Sequence, residues 1–359
     1  MSPMSATLHV FNPSHDEALA AASPYYYPSK IARQLSADWA LLPLMWAEEG
    51  DVIYCPDEAG EVAEMCADLA DERGVEVVKK KDMKPAFWER IFRIEPWGWD
   101  ALVRHQLAKW DAPQRLLPTD EQVENIRRLS ARTTTARVLP ELVKRLSACG
   151  IPVVGQSVIA CNEEKVERLL SEHGRIVVKS LWSCSGRGVF TIEGQPTASD
   201  TGRIRKLLRT QGAVEVEPWY DGVMDLALEL DAKADGGVAC KGLSLFTTSP
   251  SGGYQANIVA RQEALKARLF EKFPFIENHF PTLCSACEEV LTMVAGKTYE
   301  GPLGVDMMVV KNNQRDLLLH PCIEVNVRRT MGYVACVMGE RGIRAWPADF
   351  PFSEMPEKA

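Results

Sequence analysis

The segment RIVVKSLWSCSGRGVF places Lys179 at the end of an apolar run and follows it with Ser183, Ser185, Gly186 and Gly188 before β-forming residues return. A lysine on an extended strand can set a compact cation against a phosphate, and a serine- and glycine-rich turn can bring backbone N–H groups close to phosphate oxygens. Glycine supplies the positive φ such a turn needs, and hydroxyls add donors. This is not a Walker loop, because the lysine precedes the glycines and both flanks read as strand. The plainer reading is a glycine-rich turn whose lysine reaches solvent.

A second group lies in GVDMMV and CIEVNVRR. On a strand, Glu324 and Asn326 share a face while Val325 and Val327 take the other, and hairpin pairing would bring Asp306 beside them. Three oxygen donors on one face suit magnesium, which takes carboxylates together with phosphate oxygens. The alternative is the solvated face of an outer strand. A third group is EVEPWYDG with Asp225 and Glu229, where a proline-limited strand end could meet a nucleobase edge and a carboxylate could accept from ribose hydroxyls. Exposed acids on an antiparallel strand are the commoner arrangement.

The loop FNPSHDEALA carries Asn12, His15 and Asp16 just beyond a first strand, where they could bind an amine or carboxylate, or simply cap the helix that follows. Tyr254 and Asn257 in SGGYQAN are further substrate-pocket candidates. Serine, cysteine and histidine are too dispersed for a nucleophile–base triad.

Strands and helices must position these groups. TLHVFN, VIYCP and VEVVKK read as strands separated by helical spacing in YPSKIARQLSADWA, with Ile31, Leu35 and Trp39 on one face, and in EVAEMCADLADERG. Alternation of this kind signals a parallel α/β layer, with its ligand site in loops beyond the strand ends. The tryptophan-rich stretch 84–118, broken by Pro85, Pro96 and Pro113, reads as a helical connection closing that layer. Beyond it RIVVKS and GVFTIEG form a hairpin, GAVEVEPWYDG and VMDLALELDAK alternate like antiparallel strands, and GPLGVDMMVV and DLLLHPCIEVNV form a second hairpin across KNNQRD. The expected domains are 1–118, 119–212 and 213–359.

The chain has 359 residues, 46% hydrophobic and 25% charged, with a formal net charge of −8. That composition is globular, and the acidic balance without a basic block argues against a nucleic-acid partner. A cleft can still be locally positive and hold a phosphorylated small molecule. No apolar run approaches the length of a membrane span, and no leader pattern opens the sequence. Ten cysteines are scattered, and only Cys284 and Cys287 have CxxC spacing, which without a second pair supports neither zinc nor a redox centre. Reducing, cytoplasmic conditions are the expectation.

In the order K-x(3)-S-x-S-G-x-G, VE-P-W, Lys241, G-x-D and E-x-N-x-R, residues 125–335 resemble the ATP-grasp superfamily of carboxylate-amine ligases. The resemblance implies an α/β plus α+β protein, with an N-terminal parallel pre-ATP-grasp-like domain before two subdomains that clasp ATP. It implies an ATP- and Mg2+-dependent ligase, with Mn2+ able to substitute, that converts a carboxylate to an acylphosphate for capture by an amine-type nucleophile. A kinase on the same scaffold and a non-catalytic nucleotide-binding protein are the alternatives. By the same resemblance Lys179 contacts phosphate and adenine, Ser183, Ser185, Gly186 and Gly188 cover the phosphates, Glu217 and Trp219 mark the adenine hinge, and Asp225 holds ribose, with Glu229 the competitor. Lys241 is a further phosphate-side cation, and Asp306, Glu324 and Asn326 are metal ligands. Arg328 steadies the acylphosphate or substrate carboxylate. An upstream phosphate cation is also expected, and Arg132 in LSARTTT fits that role best. Small-molecule or peptide carboxylates and amines are the implied partners, and homo-oligomerisation is left open.

Overall fold

Four parallel strands organise the first of two compact units, which ends at Arg127. The computed structural model describes residues 6–183, 188–249, 253–343 and 352–354. In chain order the first unit contains β1 (Ala6–Val10), α1 (His15–Ala21), α2 (Lys30–Asp38), β2 (Val52–Tyr54), α3 (Gly60–Met65), α4 (Ala67–Glu72), β3 (Glu76–Val78), α5 (Pro85–Glu89), β4 (Ile91–Pro96) and α6 (Ala101–Ala108). The sheet order is β3-β2-β1-β4, so the chain steps outward from β1 and then returns to its other side. Leu8, Val52, Ile91, Trp88 and Leu107 pack into one core.

Three expectations fail in this unit. Ile31 is 64% exposed, and α2 buries Ala32 and Ala37 instead of the Ile31 face. The helix expected over EVAEMCADLADERG breaks at Cys66 into α3 and α4. The stretch 84–118 is not purely helical: IFRIEP is β4, paired in parallel with β1. Its strand signal is weak because Phe92 points outward while Pro96 is buried, so neither alternation nor proline placement marks it.

The second unit begins at Arg128, inside α7 (Asp120–Leu129). It continues through α8 (Thr135–Ala148), β5 (Val158–Ala160), α9 (Glu163–His173), β6 (Arg175–Ser180), β7 (Val189–Glu193), α10 (Ala198–Gln211), β8 (Val214–Pro218), β9 (Asp221–Ala232), β10 (Val238–Thr248) and β11 (Tyr254–Val259). Then come α11 (Gln262–Lys272), α12 (Pro274–Glu277), α13 (Phe280–Ala295), β12 (Gly301–Lys311), β13 (Leu317–Asn326), α14 (Met331–Arg341) and β14 (Phe352–Glu354). One sheet runs β5-β8-β6-β7 and the other β13-β12-β9-β10-β11-β14. Both expected hairpins are present, β6 with β7 and β12 with β13. β8 and β9, which the sequence suggested as neighbours, belong to different sheets, and the short turn at Pro218–Tyr220 carries the chain between them.

The larger sheet has two unlike faces. Leu226, Leu228 and Leu230 of β9 and Leu303, Val305, Met307 and Val309 of β12 are all buried on one face. The alternate residues Asp225, Glu229, Asp306 and Glu324 therefore share the other. Among the described residues no helix is long and apolar enough to cross a membrane.

Candidate active site

Antiparallel pairing sets Lys179 of β6 directly across from Glu215 of β8, and Val177 across from Glu217. Period-two geometry puts all three charged side chains on one face. The Lys179 ammonium is 2.6 Å from Glu217 and 3.8 Å from Glu215, and it donates to the Ile323 carbonyl at 3.2 Å. That carbonyl belongs to the residue preceding Glu324, so one side chain ties the phosphate-hairpin strand to the strand bearing the candidate metal ligands.

Arg132 lies in the turn between α7 and α8, with its backbone N–H bonded to the Leu181 carbonyl. Its guanidinium is 3.0 Å from Glu324 and 3.8 Å from Glu215, and it donates to the Ser183 hydroxyl at 3.2 Å. Arg132, Lys179, Glu215 and Glu217 are all buried. Burial opposes charge on both cations, but the carboxylates outweigh it: Glu324 foremost holds Arg132, and Glu217 foremost holds Lys179, above their ordinary values. Burial pushes Glu217 up to about 7, with Glu215 adding to the rise and Lys179 opposing it. Glu215, which the sequence reading passed over, also accepts from Ser157 at 2.6 Å. The signal was present in VEVEP, where both glutamates share a face.

Asp306 and Glu324 are register partners across β12 and β13, and Asn326 donates to Asp306 at 3.0 Å. Burial first, then the Glu324 charge, push Asp306 up to about 7, against the opposing pull of Arg328. Two facing carboxylates, one kept from ionising freely, make an all-oxygen set that favours a hard cation. Among the described residues no group of three His, Cys, Asp or Glu side chains is placed to hold a metal alone. A cation here would draw further oxygens from its ligand, as magnesium commonly does.

Asp225 accepts from Thr248 at 2.7 Å, and burial raises its carboxyl. Glu229 is locked by Thr330, which donates at 2.7 Å, and by Ser244, and burial pushes it up to about 8. The chain continues through Asn257, which donates to Ser244 at 3.1 Å and accepts from Tyr254 at 2.5 Å. Glu229 is therefore enclosed. Asp225 remains the ribose candidate. Arg328 acts electrostatically on both Asp306 and Glu229. Trp219, just past the end of β8, is 38% exposed, with Arg175 stacked 3.8 Å over its ring.

Gly188 has φ +79°, and a Cβ there would run into the Ser180 hydroxyl, so both conformation and space require glycine. Ser185 and Gly186 lie outside the described residues. Lys241 is not brought to this group: its ammonium is half-exposed and pairs with Asp231 at 3.2 Å. It sits at an irregularity in the pairing between Cys240 and Gly242.

In the first unit Asn12 and His15 meet at the carboxyl ends of the adjacent strands β1 and β4. Asn12 donates to Gly98 O at 2.8 Å and to Asp100 at 3.0 Å, and His15 Nδ1 is 3.2 Å from Asp100. Asp100 also caps α6 by accepting from Val103 N at 2.8 Å. The sequence reading missed Asp100, although its place before ALVRHQLA is an N-cap position. Asp16 is half-buried in the first turn of α1.

This architecture is shared with solved structures. The chain is similar in structure to the biotin carboxylase domain of the Hydrogenobacter thermophilus 2-oxoglutarate carboxylase, solved with MgADP, ADP and bicarbonate: TM-score 0.51, 12% identity, covering 95% of this chain and 70% of that one. It is also similar to a biotin carboxylase–β,γ-ATP complex from Campylobacter jejuni, with TM-score 0.50, 13% identity, and 97% and 73% of the two chains covered. No protein-family model matches the chain, and no curated protein matches it in sequence. The chain has the ATP-grasp fold, as its motif order implied.

Proposed function

We propose that this protein is an ATP- and magnesium-dependent ligase that activates a carboxylate as an acylphosphate and passes it to an amine-type nucleophile, releasing ADP and phosphate. The observation that carries the reading is the bridge from Lys179 to Ile323 O and from Arg132 to Glu324 and Ser183, which unites the hairpin strand, the upstream cation and the metal-ligand strand. Structures of the same fold solved with MgADP and with β,γ-ATP support nucleotide binding.

Asp306, Glu324 and Asn326 would hold magnesium, which neutralises charge on the phosphoryl group when bound. Lys179 and Arg132 supply preorganised positive charge to the phosphates, and their buried carboxylate partners fix where those cations sit. Glu217 with Pro218 and Trp219 borders the nucleobase, Asp225 accepts from ribose, and Arg328 orients the carboxylate. Lys241 is omitted from the phosphate side. The loop at Asn12, His15 and Asp16 and the Tyr254–Asn257 pair serve substrate binding, and the chain acts without nucleic acid or membrane.

ADP release screened over pairs of carboxylates and amines tests the reaction. The expected result is release that demands both co-substrates and is lost in Glu324→Gln with the circular-dichroism spectrum retained. Release that saturates with one acceptor alone identifies a kinase, and full Glu324→Gln turnover at limiting magnesium removes the metal assignment.

A further inference from the structure

The CxxC spacing of Cys284 and Cys287 does not describe the thiol contact the fold makes. Cys287 is fully buried inside α13, whereas Cys284 faces Cys240 of β10, and the two sulfurs lie 3.8 Å apart. Both Cys240 and Cys284 are partly exposed.

This contact belongs to a larger clip. Over Val238–Leu245, β10 pairs with β9 on one side only, which leaves its other edge to be satisfied by side chains. Gln262 of α11 supplies them at Leu243, and helix α13 supplies them at Val238 and Cys240 from a stripe of spacing four. Cys240 N donates to Glu288 at 2.7 Å, Val238 N donates to Thr292 at 3.0 Å, and Cys284, one turn before Glu288, places its sulfur at Cys240. The backbone of Cys240 is thus fixed against the helix independently of its thiol.

We propose that Cys240 and Cys284 form a reversible dithiol–disulfide pair that staples β10 to α13. The oxidant is a low-molecular-weight disulfide of the glutathione class. The Cys240 thiolate attacks one sulfur of that disulfide and expels one thiolate, leaving a mixed disulfide on Cys240. The Cys284 thiolate then attacks the Cys240 sulfur and expels the second. Two protein thiols lose two electrons and two protons, and the reagent leaves as two thiols. Cys240 attacks first because the contact with Cys284 lowers its thiol below the ordinary range, while the same contact raises Cys284. Closing to a bond of about 2.05 Å requires side-chain rotation and a small approach of two elements already hydrogen-bonded together.

The test incubates the full chain with oxidised glutathione at neutral pH, maps its peptides, and measures thermal unfolding before and after dithiothreitol. The expected product is a cross-link between the Cys240 and Cys284 peptides, 2 mass units lighter than the two thiol peptides. The residues are 44 apart in sequence, so the bond closes a long loop and raises the midpoint by about 5 °C or more, reversed by reductant. Cys284→Ser and Cys240→Ala each lose both effects. Separate glutathione adducts on Cys240 and Cys284 with no cross-link, or a cross-link between Cys284 and Cys287, overturn the proposal.

Discussion

Lys179 shows how much one residue type in one position can disclose. A lysine ending a β-run before a serine- and glycine-rich turn suggested a phosphate cation, and the folded chain buries it among Glu215, Glu217 and the Ile323 carbonyl. The partners were harder to read than the lysine, because Glu215 joins it through a cross-strand register that only pairing of β6 with β8 defines. Lys241 shows the converse, since the resemblance admitted it to the phosphate group and the fold pairs it with Asp231. On the proposed function, Lys179→Ala removes a charge-assisted contact of roughly 1.5–3 kcal/mol, or at least about tenfold in nucleotide affinity. Calorimetry with a non-hydrolysable ATP analogue reads this directly, and an unchanged affinity would show that the ammonium only neutralises Glu215 and Glu217.

At the scale of elements, the legible parts were those with one clean period. β9 alternates over Asp225–Asp231 and β13 over Glu324–Asn326, so the sharing of one face by Asp306, Glu324 and Asn326 followed from sequence once the hairpin was assumed. β4 was hidden by its proline and its exposed Phe92, and the assignment of β8 and β9 to different sheets left no mark on local pattern. Nor did sequence indicate why α14 begins as it does. Thr330 caps that helix by accepting from Tyr333 N while donating to Glu229, so the helix start is anchored to the middle of the sheet. Gly332 in this first turn has no room for a side chain, because a Cβ would collide with both the Glu229 carboxyl and the Ser244 hydroxyl. Gly332→Ala therefore trades a small helix-propensity gain for overpacking of about 1–3 kcal/mol, and the net is destabilising. A lower urea midpoint with unchanged slope is the expected result; an equal or higher midpoint would mean that Glu229 can vacate its place freely.

Across the whole molecule, the second unit holds an unusual set of acids. Glu217 and Asp306 are pushed up to about 7 and Glu229 to about 8, in each case chiefly by burial. In the unfolded chain these groups ionise near the ordinary carboxylate range, so over mild pH the folded state binds more protons. A raised folded pKa gives stability that is present at low pH and lost as pH rises through 7 and 8. His320 acts in the opposite direction: burial, with Lys179 nearby, lowers it to about 3, so stability is lost as pH falls below the free imidazole value near 6.5. Three acids outweigh one imidazole, so the metal-free protein loses stability as pH rises from the ordinary carboxylate range through 8, an alkaline limb that His320 only partly offsets below about pH 6.5. Magnesium should flatten the alkaline limb, because a cation at Asp306 and Glu324 compensates the charge that burial penalises, whereas Glu217 and Glu229 retain their own slopes. Guanidinium unfolding at pH 6, 7, 8 and 8.5, with chelator and with excess magnesium, separates the two contributions. An alkaline limb equally steep under both conditions would place the cation elsewhere, and no alkaline loss at all would mean that the buried acids find compensation within the fold itself.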